Sequence, residues 1–431
     1  MYVTFDEWTQ GRAVPTLGTN AGANNLPFQN WRHFKEAFAP EIVARAVAES
    51  QIPVKRCFDP FGGSGTTALA CQFLGIHPWT VEVNPFLADL IEAKLTSYDA
   101  DDVARDLGSV IRRAKIERKS RTKPFQGLPQ TFVEPGVNDR WIFDLSVARR
   151  LSAFLKAIEA TKNPSHRRLF KVLLGGILVD VSNVFVNGKG RRYRRNWETR
   201  KSNATDVDRR FCEAAQGAIS DIHKFANRKL EAFNIVRGDS RKEFRKVGKF
   251  DLAVFSPPYP NSFDYTDVYN IELWLLGYLK DFKSNRILRA ATLSSHVQIS
   301  REFSSAPTES RLLNSVLKKL ELERHHLWDK RIPSMVGGYF SDLFMVIDRI
   351  QKKITPGGDA WIVVGDSCYA GIQIPTAKII EQIAKTRNWT IKGCEPFRSM
   401  RASPQQGGRE ELAETLIVLT AAQPTNRLRI S

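Results

Sequence analysis

The segment at residues 54–83 constrains the fold more than any other part of the chain. It begins with VKRCFD, a run of the right length for one strand, and continues through the glycine-rich turn PFGGSG. TTALACQFLG follows with helical spacing, and HPWTVEV is predicted as a second strand. A strand, a tight turn, a helix and another strand in this order begin a doubly wound α/β sheet.

Strand and helix signals return in the last part of the chain. FNIVRGDS, KFDLAVFSPPY, DAWIVVGDS and ETLIVLTA are predicted as strands. SDLFMVIDRIQKK, IPTAKIIEQIAKTRN and residues 34–50 show the apolar spacing of helices. We therefore expect residues 26–98 and 234–420 to form one sheet domain, preceded by an irregular arm.

Residues 99–233 differ in character from both flanking parts. They are mostly helical by pattern and rich in Arg and Lys. Between residues 185 and 210, basic side chains alternate with Tyr193 and Trp197. We interpret this segment as a mainly helical, basic insertion into the sheet domain and as the candidate region for target recognition.

The charge of the chain indicates a polyanionic partner. Basic side chains outnumber acidic ones by 64 to 46 in 431 residues, which gives a formal net charge of +18. We favour nucleic acid as the partner over a merely cationic protein. The five cysteines form no C-x-x-C pair, a pattern typical of a reducing cytosol and of a chain without a metal site. No signal peptide or apolar run of about 18 residues occurs, so we expect a cytoplasmic protein without membrane contact.

Residues 59–67, DPFGGSGTT, form the turn after the first predicted strand. The three glycines allow a tight turn close to a ligand, and the following helix directs its N-terminal amides at the same place. No Lys follows Gly65, which excludes a nucleotide-binding P-loop. The spacing Gly63-x-Gly65-x-x-Ala68, with Glu82 downstream, also fits the loose fingerprint of a dinucleotide-binding dehydrogenase.

A second motif, Ser256-Pro257-Pro258-Tyr259, directly follows the predicted strand FDLAVF. Two prolines cannot continue a strand, and each fixes its own φ angle. The result is a rigid loop at the carboxyl edge of the sheet, where ligands bind in folds of this kind. We interpret this loop as part of an active site rather than as a chance surface turn.

In this order and at strand ends, the two motifs resemble those of the amino-group DNA methyltransferases. NSFDYTDVYNIELWLLG, GYFSDLFMVIDRIQKKITPGG and RSMRASPQQGGREELAETLIVL resemble the same family. The resemblance implies a Rossmann-like methyltransferase sheet, mostly parallel with an antiparallel last strand and with helices on both faces. It also implies S-adenosylmethionine as the cofactor.

The resemblance assigns roles to individual residues. The glycine loop would curl around the methionine and ribose part of the cofactor, Glu82 would bind the ribose hydroxyls, and Asp239 would accept from the adenine amino group. LPFQNWRHFKEAF resembles the helix that closes over the cofactor. The implied cofactor-binding residues are Phe28, Asn30, Trp31, Asp59, Pro60, Phe61, Gly63, Ser64, Gly65, Thr66, Thr67, Glu82, Asn84, Asp239 and Ser256, and the implied catalytic residues are Ser256, Pro257, Pro258 and Tyr259.

The chemistry of an aromatic amine suits the second motif. The Ser256 hydroxyl and the Pro257 carbonyl are expected to accept the two N–H hydrogens of the amine, which favours a pyramidal nitrogen whose lone pair faces the methyl group. Tyr259 offers a flat face to a base turned out of the duplex. A first-position Ser is more frequent among the cytosine-N4 enzymes of the family, so we predict N4 methylation of cytosine, with N6 of adenine as the alternative. No Pro-Cys nucleophile is present, which disfavours methylation of carbon.

The basic insertion is the predicted contact with double-stranded DNA. The candidate residues are Lys189, Arg191, Arg192, Tyr193, Arg194 and Arg195. A solvated loop without specificity is the alternative, and a second basic group near Arg324 and Arg331 competes for the role. An RNA base methyltransferase and an inactive DNA-binding subunit also stay open. A cognate restriction or defence protein is a further expected partner.

Overall fold

The computed structural model of the protein is built around a seven-stranded mixed sheet. The structure describes residues 2–34, 37–117, 124–187, 190–199, 201–261, 263–401 and 411–421. Its strands are β1 (Arg56–Asp59), β2 (His77–Glu82), β3 (Val184–Asn187), β4 (Gly190–Tyr193), β5 (Asn234–Arg237), β6 (Phe250–Phe255), β7 (Ile354–Gly365), β8 (Ser367–Tyr369), β9 (Ile372–Ile374), β10 (Trp389–Arg401) and β11 (Glu411–Ala421).

The strand order in the large sheet is β10-β11-β7-β6-β1-β2-β5. All neighbours from β7 to β5 run parallel, whereas β11 is antiparallel to both β7 and β10. The predicted sheet, mostly parallel with an antiparallel last strand, is therefore confirmed. Two small hairpins, β3–β4 and β8–β9, lie outside it.

The central strands are apolar on both faces because helices cover both. In β6, Leu252 and Val254 belong to one buried apolar cluster, and Ala253 and Phe255 belong to the other. Such strands appear as continuous apolar runs rather than as alternating patterns. The run FDLAVF was predictable as a strand for this reason.

Helices pack on both faces of the sheet, as predicted. Their bounds are α1 (Phe5–Thr9), α2 (Glu41–Ala48), α3 (Thr66–Leu74), α4 (Pro85–Leu95), α5 (Ala100–Glu117), α6 (Leu145–Glu159), α7 (Pro164–Ile177), α8 (Ala204–Lys224), α9 (Ser240–Glu243), α10 (Tyr265–Val268), α11 (Asn270–Leu275), α12 (Phe282–Ala290), α13 (Arg311–Leu322), α14 (Ile332–Lys353) and α15 (Thr376–Thr386). One apolar cluster includes α3, α4 and α7, and the other includes α13, α14 and α15. Within the described part of the chain, every helix is too short or too polar to cross a lipid bilayer.

The segment predicted to be an insertion, residues 99–233, contains α5 to α8 and the hairpin β3–β4. Its helices pack against one another, and α7 also packs against α4 of the sheet domain. Phe154 and Leu173 of the insertion share one apolar cluster with Leu252 of the sheet. The described part of residues 99–233 therefore consists mainly of helices and contributes to the core that covers one face of the sheet.

Two sequence predictions need correction. Of the helix predicted over residues 34–50, the described residues form a helix from Glu41 to Ala48, where Pro40 occupies the N-cap position. Strand β10, of mixed polarity, was not predicted. It becomes a strand through its long antiparallel pairing with β11, so tertiary pairing decides its conformation.

The topology places a crevice between two halves of the sheet. From β1 the chain proceeds outward to β2 and β5 on one side, whereas β6 and β7 lie on the other. Connections leaving β1 and β6 therefore diverge, which opens a cleft at their carboxyl ends. Both motifs from the sequence lie there, since Asp59 ends β1 and Ser256 follows β6.

Candidate active site

A single cavity of about 360 Å³ occupies this cleft. The lining residues at the sheet edge are Asp59, Pro60, Phe61, Gly62, Gly63, Ser64, Thr66, Val81, Glu82, Val83, Asn84, Gly238, Asp239, Ser240, Ser256, Pro257, Pro258 and Tyr259. The remaining lining residues are Gly18, Phe34, Ala37, Phe38, Leu87, Asn261, Phe263, Thr266, Tyr269, Ala291, Thr292, Leu293, Ser295, His296 and Glu414. The glycine loop and the Ser-Pro-Pro-Tyr loop thus face the same space.

The glycine loop has a shape that side chains would prevent. Gly63 and Gly65 have φ angles of +52° and +80°, in the left-handed region. A Cβ at Gly62 would lie 2.4 Å from Thr80 Cγ2, so the loop packs directly on β2. The backbone of Gly62 and Gly63 therefore forms the floor of the cavity at the end of β1.

Glu82 holds this loop against the end of β2. Its two carboxylate oxygens accept hydrogen bonds from the backbone N–H groups of Gly63 and Asn84, each at 2.7 Å. Burial raises the pKa of Glu82 to about 7 and also raises that of Asp59 to about 7. Asn84 itself caps α4 through its side-chain oxygen.

A buried lysine supports the loop from below. Lys94 donates hydrogen bonds to the Ser64 carbonyl and to Gln29 Oε1, both at 2.8 Å. Gln29 in turn donates to Thr66 Oγ1 at 3.4 Å. Burial lowers the pKa of Lys94 to about 7. The loop conformation is thus fixed from both sides, by Glu82 and by this lysine.

Asp239 lines the cavity at the end of β5 and also caps α9. The Arg241 guanidinium donates to both of its oxygens at 2.9 Å and bonds Asp342 of α14 at 2.6 Å. This bidentate pair fixes the direction of the carboxylate. Asp239 therefore caps α9 and lines the cavity at the same time.

The Ser-Pro-Pro-Tyr loop is tied to the antiparallel side of the sheet. The Ser256 hydroxyl donates to the Val363 carbonyl on β7 at 2.9 Å. The Tyr259 hydroxyl donates to Glu414 Oε1 on β11 at 2.9 Å and lies 3.4 Å from Ser256 Oγ. Glu414 is a buried cavity residue that was missed in the sequence. Its one signal is a carboxylate inside the apolar run LAETLIVL.

The aromatic segment before α2 does not contribute the expected residues. Phe28 and Trp31 are buried, and the Phe28 backbone N–H and Trp31 Nε1 both bond Asp221 of α8 at 2.9 Å. Neither they nor the exposed Asn30 line the cavity. Phe34 and Phe38 line it instead. Packing explains this placement, because Phe28 and Trp31 both bond α8 of residues 99–233.

Two residues of the glycine loop also point away from the cavity. Gly65 packs on Ile91, where an added Cβ would lie 2.9 Å from Cγ1. Thr67 donates to the Val254 carbonyl at 3.1 Å and is buried. Both residues shape the loop rather than line the cavity, and Gly62, which was not predicted, takes their place.

The predicted DNA-contacting residues separate into two groups. Arg192 and Arg195 are exposed, whereas Arg194 donates to the Val179 and Ser182 carbonyls at 2.9 and 3.3 Å. Arg191 and Tyr193 are half-buried, and the Arg191 guanidinium carbon lies 5.8 Å from the centroid of the Phe132 ring. Lys189 lies outside the described residues. The Arg194 guanidinium thus holds the loop after α7, and its contact with DNA stays a prediction.

The hairpin β3–β4 packs beside α10, whose Thr266 lines the cavity. β4 packs next to α10, the short helix that follows the Ser-Pro-Pro-Tyr loop. A Cβ at Gly190 would lie 3.5 Å from Asp267 Oδ2 of that helix. The hairpin that carries Arg192 is consequently adjacent to the segment that follows the Ser-Pro-Pro-Tyr loop.

The second basic group predicted from the sequence lies elsewhere. Arg331 bonds Asp329 and the Ile299 carbonyl, and Arg324 bonds Glu321. Among the described residues, the side chains of Glu323, His325 and His326 have potential metal-ligating atoms within 4.8 Å of one another. This group does not line the cavity.

Comparisons with known proteins extend over nearly the whole chain. No protein-family model matches it. The type II methyltransferase M.BsoBI of Geobacillus stearothermophilus is 26% identical over 91% of this chain and 86% of its own length. The type II methyltransferase M.AvaI of Nostoc sp. is 25% identical over the same shares. The chain is similar to type II methyltransferases.

Solved structures give weaker matches. TrmN from Thermus thermophilus has a TM-score of 0.28 at 9% identity, covering 89% of this chain and 48% of TrmN. The rRNA methyltransferase aviRa from Streptomyces viridochromogenes has a TM-score of 0.30 at 11% identity, covering 90% of this chain and 86% of that protein. These scores are too low to support an argument about function.

Proposed function

We propose that this protein is a DNA methyltransferase of a restriction-modification system, which transfers a methyl group from S-adenosylmethionine to the exocyclic N4 amine of cytosine. The main observation behind this proposal is that the glycine loop and the Ser-Pro-Pro-Tyr loop line the same cavity. The similarity to type II methyltransferases over 91% of the chain supports the same conclusion. A cognate restriction protein is a partner that this proposal includes.

The polar groups of the cavity fit S-adenosylmethionine. Glu82 and Asp239 provide carboxylates at the ends of neighbouring strands, where one would accept from a ribose diol and the other from an adenine amine. The Gly62–Gly63 backbone provides a surface without side chains that a ligand can approach. When bound, the cofactor supplies a methyl group on a positively charged sulfur.

Ser256 is suited to orient the target amine. Its hydroxyl hydrogen is used on the Val363 carbonyl, so the oxygen presents lone pairs rather than a donor. Together with the Pro257 carbonyl, it would accept both amine hydrogens and direct the nitrogen lone pair at the methyl group. Rigid alignment of this kind can lower a barrier by several kcal/mol.

Tyr259 would carry the base. Tyr259 lines the cavity, and its hydroxyl is anchored on Glu414, which holds the end of the side chain in place. Stacking of a base turned out of the duplex on an aromatic ring is worth about 1–3 kcal/mol. The choice of cytosine over adenine follows from Ser256 through the family resemblance, and N6 of adenine is the competing target.

Double-stranded DNA is the proposed substrate. Arg192 on the hairpin and Arg195, two residues after it, are exposed and would contact phosphates. The net charge of +18 favours the same polyanion. A base would have to leave the duplex to enter the cavity, as it does for other enzymes that modify bases.

The deciding experiment is a methyl-transfer assay with isotopically labelled S-adenosylmethionine on plasmid DNA and, separately, on total RNA. Mass spectrometry of the nucleosides should find N4-methylcytosine in the DNA. Tyr259→Ala should lose turnover and keep its cofactor affinity, whereas Tyr2→Ala, at a tyrosine that is 64% exposed, should match the wild type.

Each other outcome has a defined meaning. N6-methyladenine would overturn the choice of base, and label in RNA alone would overturn the choice of DNA. Calorimetry that shows binding of NAD and none of S-adenosylmethionine would overturn the methyltransferase itself. Methylation-aware sequencing of a host with and without the gene would then report the sequence context of the modified base.

A further inference from the structure

Helix α12 presents an exposed face that no described part of the chain covers. None of its residues is buried, and Ile287 and Phe282 are 62% and 69% exposed. Lys283, Arg286, Ile287 and Ala290 are exposed and spaced i, i+3, i+4 and i+7, which places them on one side of the helix. This face, called the α12 face below, combines two cations with an aliphatic side chain.

The helix is nevertheless held firmly. Asp281 and Ser284 form a reciprocal capping box at its start. The ring of Phe282, the first residue of the helix, packs against Trp274 with 5.4 Å between centroids. Near the end of the helix, Arg289 Nε donates to Asp264 Oδ2 at 2.7 Å. The exposed face therefore belongs to an anchored element rather than to a loose surface segment.

The anchors connect α12 to the cavity. The residues that follow it, Ala291 to Leu293, line the cavity. Arg301 donates to the Arg289, Thr292 and Leu293 carbonyls at 3.0 to 3.1 Å. Asp264, the partner of Arg289, caps α10 directly after the catalytic loop. The α12 face is thus fixed relative to the place where the target base would lie.

We propose that the α12 face is a DNA-contacting surface that reads the duplex beside the extruded base. This inference rests on the proposed function. No residue from 282 to 290 is acidic, so the whole helix suits a polyanion. An α-helix fits the major groove, where Lys283 and Arg286 can contact phosphates or guanine and Ile287 can contact a thymine methyl group. A protein partner would be the competing occupant.

The chain offers a matched control on α13. Lys318, Lys319 and Leu322 are also exposed, and Leu322 is 76% exposed. All residues of α13 are described, and none lines the cavity. Lys283→Gln/Arg286→Gln/Ile287→Ser and Lys318→Gln/Lys319→Gln/Leu322→Ser remove the same charge and the same kind of apolar side chain from the two helices.

The experiment measures binding to a short duplex by fluorescence anisotropy at several salt concentrations, with calorimetric cofactor binding and thermal melting as checks on folding. The α12 variant should weaken duplex binding at least tenfold, and its slope of log K against log salt should decrease by about 2, since each lost phosphate contact removes about 0.9. Its cofactor affinity and melting temperature should stay unchanged. The α13 variant should bind within about twofold of the wild type.

The single variant Ile287→Ser distinguishes sequence-specific contact with bases from electrostatic attraction to the phosphates. It should reduce the preference for the methylated sequence over a scrambled duplex without changing the salt slope, because it removes no charge. Equal DNA affinities and equal salt slopes for the two triple variants would overturn the role of the α12 face. The proposed function would still stand in that case if the wild type methylates DNA. If the wild type methylates no DNA, the proposed function fails first. Unchanged DNA binding with loss of a co-purifying protein would indicate the competing occupant.

Discussion

The hydrogen bond between Tyr259 and Glu414 predicts a measurable coupling in catalysis. The two oxygens are 2.9 Å apart, and Glu414 is buried on β11, 155 residues from Tyr259 in the sequence. A hydrogen bond to a charged group contributes about 1.5–3 kcal/mol. If this bond holds the Tyr259 ring in the orientation that the base requires, its loss in Glu414→Ala should reduce kcat by roughly 10- to 150-fold.

A double-mutant cycle tests whether Glu414 acts through Tyr259. Tyr259→Phe removes the hydroxyl and keeps the ring, so it should lose a similar factor in kcat. Glu414→Gln keeps an acceptor without the charge and should lose only about fivefold, since neutral hydrogen bonds are worth about 1 kcal/mol less than charged ones. The variant with both Tyr259→Phe and Glu414→Ala should be no slower than either single variant, because the same bond is lost once.

The assay is single-turnover methyl transfer to DNA, accompanied by cofactor affinity and thermal melting. Both accompanying measurements should be close to wild type in Glu414→Gln, and Glu411→Gln, at an exposed carboxylate of the same strand, should be indistinguishable from wild type in all three. Multiplicative losses in the doubly substituted protein would refute the reasoning. They would mean that Glu414 acts on the reaction by a route other than the tyrosine.

Three further predictions concern the cofactor loop and the hairpin. Glu82→Gln should weaken S-adenosylmethionine binding by roughly 5- to 150-fold in calorimetry, because its amide nitrogen would face one of two backbone N–H donors at a cost of about 1–3 kcal/mol. Burial raises the pKa values of Asp59 and Glu82 to about 7 from 3.8 and 4.5. Both acids therefore favour the fold most below pH 4, and this stability is lost as pH rises through 7, whereas cofactor affinity should rise over the same interval as Glu82 ionises. A thermal shift by the cofactor that does not grow from pH 6 to 8 would contradict this. Arg192→Gln/Arg195→Gln should reduce the steepness of the salt dependence of DNA binding by about 2 without changing the melting temperature. Arg194→Gln should instead lower the melting temperature. Equal melting temperatures for the two variants would contradict the different roles assigned to these arginines.

Features encoded within a few consecutive residues were determined by the sequence alone. The glycine loop, the Pro-Pro turn and the buried strand FDLAVF depend on local φ preferences and continuous apolar runs, which neighbouring residues specify directly. The order of these elements then indicates that Asp59 and Ser256 meet at one edge of the sheet. The fold class and the centre of the candidate site follow from that.

Tertiary structure decided what distant segments contribute. Whether Phe28 or Phe34 faces the cavity depends on α8, whose Asp221 binds the Phe28 backbone. Whether Arg194 meets solvent depends on the carbonyls after α7. Glu414 reaches Tyr259 only because β11 pairs antiparallel with β7 in a register that the strand sequence does not specify. Contacts between segments far apart in the chain arise from packing of the whole sheet, whereas local patterns constrain only their own backbone.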